Sequence, residues 1–122
     1  MFDALKAAGQ VAALMKNREA IEGAMARVKA RLPDLRAVGS AGSGAVRVTA
    51  SGDMRIVEVT MDPVMASNLG GEASRQTAQG LIVEASNQAL LRARELAARE
   101  IQREADAVGL GNLPGLDRLL GG

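Results

Sequence analysis

The side chains best equipped for chemistry in this chain are cations at helical spacings. Lys16, Arg27, Lys29 and Arg31 lie in the first third, and Arg92, Arg94, Arg99 and Arg103 lie toward the far end. Ammonium and guanidinium groups carried on helices can contact phosphates. Other chemistry is scarce. None of the 122 residues is His or Cys, which removes imidazole bases, thiolate nucleophiles, disulfides and the usual zinc or iron ligand sets. A carboxylate-held Mg²⁺ site is the one metal chemistry left open. Glu95 with Arg99, and Glu100 with Glu104, stand at i,i+4 spacing, which reads as a solvated helix face worth a few tenths of a kcal/mol. No enzyme and no cofactor is expected from such a set.

The run Gly39-Ser40-Ala41-Gly42-Ser43-Gly44 has the look of a phosphate-cradling loop. Such loops join a strand to a helix, so that helix N-terminal amides meet the anion. This one lies between two expected strands and lacks the Gly-Lys-Ser/Thr ending, so it reads as a hairpin turn. Phe2 is the single aromatic residue, leaving no platform on which bases could stack. There is no helix-turn-helix or zinc-finger pattern either. Nucleic acid, if bound, would be held by its duplex backbone, with weak sequence selectivity and strong salt dependence. The net charge of +1 is no polyanion binder's total, but its distribution is uneven. Residues 1–36 hold seven Lys/Arg against four acids, a balance of +3, whereas residues 72–108 hold five Arg against six acids, a balance of −1.

The elements that must carry these cations are two long helices. Residues 2 to about 32 show Leu14, Ile21, Met25, Val28 and Leu32 on a 4-3 spacing, with Arg18 in the one polar slot and Val11, Ala7 and Ala4 continuing upstream. Pro33 ends this helix, because proline disfavours helical geometry in the residue before it. At 1.5 Å per residue it spans roughly 45 Å, so part of it is expected to extend beyond so small a domain. Its stripe serves core packing along one length and a coiled-coil-like contact with a partner helix along another. The second helix is expected from about Glu72 to Val108, stopped by Gly109. Its most regular row is Leu81, Ala85, Ala89, Ala93, Ala97, Ile101 and Ala105, small residues that let a neighbour approach closely.

Between the helices the pattern is β. Residues 35–39 read as a short strand and 39–44 as a flexible turn. Over 45–51, Val46, Val48 and Ala50 alternate with Arg47, Thr49 and Ser51. Ser51-Gly52-Asp53 turns the chain into 54–61, where Val57, Val59 and Met61 share a face. Asp62-Pro63 closes this strand and starts a short helical turn, and Asn68-Leu69-Gly70-Gly71 is a loop. The expected fold is α+β: a single α-β-β-β-α domain over 1–108, with a three-stranded antiparallel meander. Residues 109–122 form a Gly- and Leu-rich tail with Pro114, Leu116, Leu119 and Leu120.

Composition points to self-association. The apolar fraction is 48%, yet it is mostly Ala, Val, Leu and Met. A buried aliphatic side chain is worth roughly 1.5–3 kcal/mol and Ala less, so a monomer core would be thin. A meander also has two open edges, which are usually paired, covered or charged. No secretory segment is expected, since Asp3 stands where a signal peptide wants basic residues and Gln10, Lys16, Asn17 and Arg18 interrupt any apolar run. No stretch approaches the ~18 apolar residues of a membrane span.

Five pieces, in order and correctly spaced, resemble the YbaB/EbfC family of nucleoid-associated proteins. They are Leu14-Met15-Lys16; the glycine hairpin and valine strand of Val38 to Thr49; Gly52 with Ile56-Val-Glu-Val-Thr-Met-Asp-Pro63; Glu84-Ala85-Ser86-Asn87-Gln88-Ala89; and Leu113-Pro114-Gly115. The resemblance implies a homodimer whose paired β-regions form a body from which long helices project like tweezers. It implies a cytoplasmic, nucleoid-associated protein that binds double-stranded DNA and takes part in nucleoid organisation and gene regulation. No small-molecule substrate, cofactor or membrane enters that picture. The eight Lys and Arg residues named at the outset are then the candidate DNA contacts. The alternative is a protein-interaction module whose projecting helices grip another protein, favoured by the apolar stripe and the near-neutral charge.

Overall fold

The computed structural model describes residues 2–109, with side chains in the first fourteen positions described at Ala4, Ala8 and Ala12 alone. Helix α1 runs Phe2–Arg31 and tightens into a 3₁₀ turn, Leu32–Asp34, at Pro33. Strands β1 (Arg36–Ala41), β2 (Val46–Ser51) and β3 (Ile56–Met61) follow. Next come helix α2 (Pro63–Ser67) and helix α3 (Glu72–Ala107). The sheet is an antiparallel meander in the order β1-β2-β3. The α+β class and the α-β-β-β-α order expected from the sequence are therefore those of the molecule. The stripe positions Leu14, Val11 and Ala7, and the tail residues Pro114, Leu116, Leu119 and Leu120, lie outside the described side chains and residues.

The chain divides into two compact units. Residues 31–98 contain the sheet, and their core is apolar. Val46, Val48 and Ala50 from β2 and Ala85, Ala89 and Ala93 from α3 are fully buried, with Ala37 and Ala41 of β1 beside them. Met61, Met65, Leu81, Ile82, Leu90 and Leu96 pack around this centre. Small side chains line the centre of the contact, so the helix can come down close on the strands there. Gly39 shows how close: a Cβ placed there would lie 2.1 Å from the Ala85 carbonyl oxygen and 2.5 Å from the Ala89 nitrogen.

This corrects one part of the sequence reading. Gly39, read both as the end of the first strand and as the start of the turn, is a strand residue lying under a helix, and β1 continues through Ser40 and Ala41, which were read as turn. The turn itself is Gly42-Ser43-Gly44, where three successive residues take positive φ (63°, 58° and 89°). Glycine suits that left-handed backbone because it has no Cβ. At the other end of the meander, the side chain of Asp62 accepts the Val64 N–H at 2.8 Å, capping α2 with Pro63 in its first turn.

Strand β3 departs from its neighbours. Val57 and Val59 stand on one face as the alternation requires, but both are 47% exposed and Ile56 is 43% exposed. The ladder also slips here: Thr49 pairs with Glu58 and Ala50 with Ile56, leaving Val57 as a bulge. Among the described residues, Ile56, Val57 and Val59 of the third strand are left largely uncovered.

In the other unit, residues 1–30 and 99 onward, Ala24 and Val28 of α1 are buried, Ile21 is half-buried, and Met15 and Met25 are 65% and 66% exposed. On α3 the buried positions there are Glu100 and Glu104, not Ile101 and Ala105, which are half-buried. Of the carboxylates read as a solvated face, Glu100 and Glu104 are thus inward, while Glu95 is exposed. At 3.6 residues per turn, an i+4 row drifts by about 40° at each step. By Ile101 the row that began at Leu81 has rotated off the buried side, and Glu100 and Glu104 have rotated onto it.

Candidate nucleic-acid interface

Helical geometry sorts the eight candidate cations. On α1, Lys16, Arg27 and Arg31 fall within a sector of about 60°, while Lys29 points roughly 160° away from Arg27. On α3, Arg92, Arg99 and Arg103 share a sector of about 40°, with Arg94 on the far side. All eight are exposed.

Their engagements differ. Arg27 donates from Nε to Glu104 Oε2 at 2.9 Å, an ion pair in which the Glu104 side chain keeps only 12% of its exposure. Arg103 donates from Nη2 to Glu100 Oε1 at 2.6 Å, again to a carboxylate nearly out of water (10%). A buried carboxylate without a partner is costly, so these two arginines are held by the acids they neutralise. Arg92 donates from Nη1 to the carbonyl oxygen of Val38 at 2.6 Å. Among the described residues, Lys16, Lys29, Arg94 and Arg99 make no ion pair or hydrogen bond, and their charges face solvent. Arg31 is exposed on the same side of α1 as Arg27.

Sequence reasoning passed over Gln88, whose Oε1 accepts the backbone N–H of Ser40 at 2.7 Å. Its i,i+4 relation to Arg92 was the available signal, but nothing local says that both side chains reach a strand. Sequence reasoning also passed over three arginines of the sheet region. Arg47 is exposed, Arg36 donates to the carbonyls of Pro33 and Leu35, and Arg55 faces Asp53 at 3.7 Å.

An open groove of about 570 Å³ lies within the sheet-bearing unit, lined by Ala45, Asp62, Val64, Met65, Asn68, Ala73, Ser74 and Thr77. Asp62 is its one titratable group, and it is engaged in capping α2. General acid–base work needs a second group within reach, and this groove holds none. Among the described residues no helix is long and apolar enough to cross a membrane.

Two long helices bearing surface Lys and Arg, with a small antiparallel sheet between them in sequence, define an α-β-β-β-α protein of the α+β class. Residues 8–107 match the YbaB/EbfC DNA-binding family, and the chain belongs to that family. It is 34% identical over 108 residues to a protein of Acetivibrio thermocellus named as nucleoid-associated, covering 88% of this chain and 90% of that one. A nucleoid-associated protein of Caulobacter vibrioides is 32% identical over 108 residues, 84% of this chain and 93% of its own. One from Granulibacter bethesdensis is 32% identical over 100 residues, 82% of this chain and 90% of its own. The crystal structure of an uncharacterised protein from Helicobacter pylori shares the fold with a TM-score of 0.57 at 15% identity, over 75% of this chain and 88% of that one.

Proposed function

We infer that this protein is a nucleoid-associated protein that binds double-stranded DNA with little sequence selectivity. It acts at the nucleoid, in the cytoplasm, in nucleoid organisation and gene regulation, and it catalyses no reaction. The observation that carries this reading is the family match over residues 8–107, which takes in most of α1, the whole sheet and α3. The cations support it. Lys16, Lys29, Arg94 and Arg99 face solvent and form no ion pair among the described residues, so they are the groups we favour for binding phosphates. Arg27 and Arg103 serve first to neutralise Glu104 and Glu100. Arg31 and Arg92 complete the set of eight. The functional unit is a homodimer, a reading supported by the uncovered apolar side chains of Ile56, Val57 and Val59.

Reversing charge at the four free positions (Lys16→Glu, Lys29→Glu, Arg94→Glu, Arg99→Glu) tests the assignment. The variant is expected to fold and associate as the wild type does. Its slope of log affinity against log salt should flatten by roughly 0.9 for each phosphate that is no longer neutralised. Undiminished binding by a folded variant would remove these residues from the interface. The reading as a protein-interaction module draws on one observation, the 65–66% exposure of Met15 and Met25. Nuclease-treated pull-downs with Met25→Lys separate the two, since a protein contact would persist without nucleic acid and fail in that variant.

A further inference from the structure

The two edges of the sheet are treated differently. In a meander ordered β1-β2-β3, the outer strands each present a row of backbone groups facing away from β2. On β1 the outward groups include the carbonyl of Val38 and the N–H of Ser40, and both are occupied by side chains from one helix. Gln88 Oε1 accepts from Ser40 N at 2.7 Å, and Arg92 Nη1 donates to Val38 O at 2.6 Å. One acceptor and one donor are what an added strand would offer at this place. Gln88 and Arg92 are one helical turn apart, so both lie on the same side of α3. The residue between the two occupied positions is Gly39, on whose bare Cα the helix backbone rests at Ala85 and Ala89. The close approach fixes the helix beside the edge, and the two side chains close it. The hydrogen bonds seen on β1 have no counterpart among the described residues on β3, where the side chains of Ile56, Val57 and Val59 also stay 43–47% exposed.

We propose that Gln88 and Arg92 seal the β1 edge against a strand from a second copy of this chain, so that the sheet can be extended only at β3. An isologous contact at β3 then closes on itself at two copies, whereas two open edges would let copies add without end. The seal is independent of DNA binding: loss of DNA affinity would leave it untouched.

The test is light scattering coupled to size exclusion on the full chain, over a wide range of concentration, for Gln88→Ala/Arg92→Ala against wild type. The double variant should keep its circular dichroism and form species at multiples of the wild-type mass that grow with concentration. Adding Ser40→Pro removes the outward N–H, which an edge strand tolerates, and should return the mass to the wild-type value. A folded double variant with wild-type mass throughout would overturn the proposal, as would excess association that Ser40→Pro leaves unchanged. Hydrogen exchange on the unaltered protein supplies a check that no variant can confound. The Ser40 amide should be protected although it faces out from an edge strand, and rapid exchange there would equally overturn the seal.

Discussion

The sheet-bearing unit and the helical unit draw their stability from different physics. In the first, the six fully buried residues at the centre of the core cluster, three from β2 and three from α3, are all apolar and small. Its stability comes from close backbone approach, and its tolerance for added volume is low. Among the described residues of the second, the buried positions are Ala24, Val28, Glu100 and Glu104, each still 6–9% exposed, and half of them are carboxylates. That unit depends on Arg27 and Arg103 meeting those acids. The difference teaches why cations alone do not mark a binding surface: two of the eight candidates are holding the molecule together.

Substitutions can break or sharpen this contrast, beginning with the largest effect. Gly39→Ala should cost about 3 kcal/mol or more, since its Cβ would meet helix backbone that cannot step aside. Urea denaturation reads this, and an unchanged midpoint would mean that the helix is not seated on β1. Val48→Ala, in the fully buried β2 position, should cost about 2 kcal/mol, while Val28→Ala in the helical unit should cost less than half of that. Equal losses would erase the distinction between the two cores. Arg27→Ala should destabilise by about 1–2 kcal/mol, because it strands the carboxylate of Glu104. Arg18→Ala breaks an i,i+4 pair whose side chains are 81% and 65% exposed, and should cost only about 0.3 kcal/mol. Thermal melts of these two variants side by side would show whether burial, rather than the mere presence of an ion pair, sets the loss.

Most of the architecture was legible in local chemistry. Pro33 ends α1, Asp62-Pro63 starts α2, and the alternation of Val46, Val48 and Ala50 marks the inward face of β2. What escaped depended on tertiary placement. Glycines around a hairpin look alike in sequence, and only the helix lying on Gly39 separates it from Gly42 and Gly44. The i+4 row of small residues was a sound guide from Ala85 to Ala93, then drifted off the buried side and left Glu100 and Glu104 there instead. The valines of β3 alternate as core residues do, yet both are 47% exposed. The candidate cations could be named from composition, but their partners could not, because Arg27 meets Glu104 across 77 positions of sequence and Arg92 reaches Val38 across 54.

The central claim, that this family member binds duplex DNA through exposed cations, is tested most directly by fluorescence anisotropy of a random-sequence duplex titrated with the full chain. The titration should be repeated from about 50 to 200 mM salt. The account predicts binding at low salt that weakens steeply over that range, with a log–log slope near −0.9 for each phosphate neutralised, and little change when the duplex sequence is altered. Absence of binding at the lowest salt, or an affinity indifferent to salt, would contradict it.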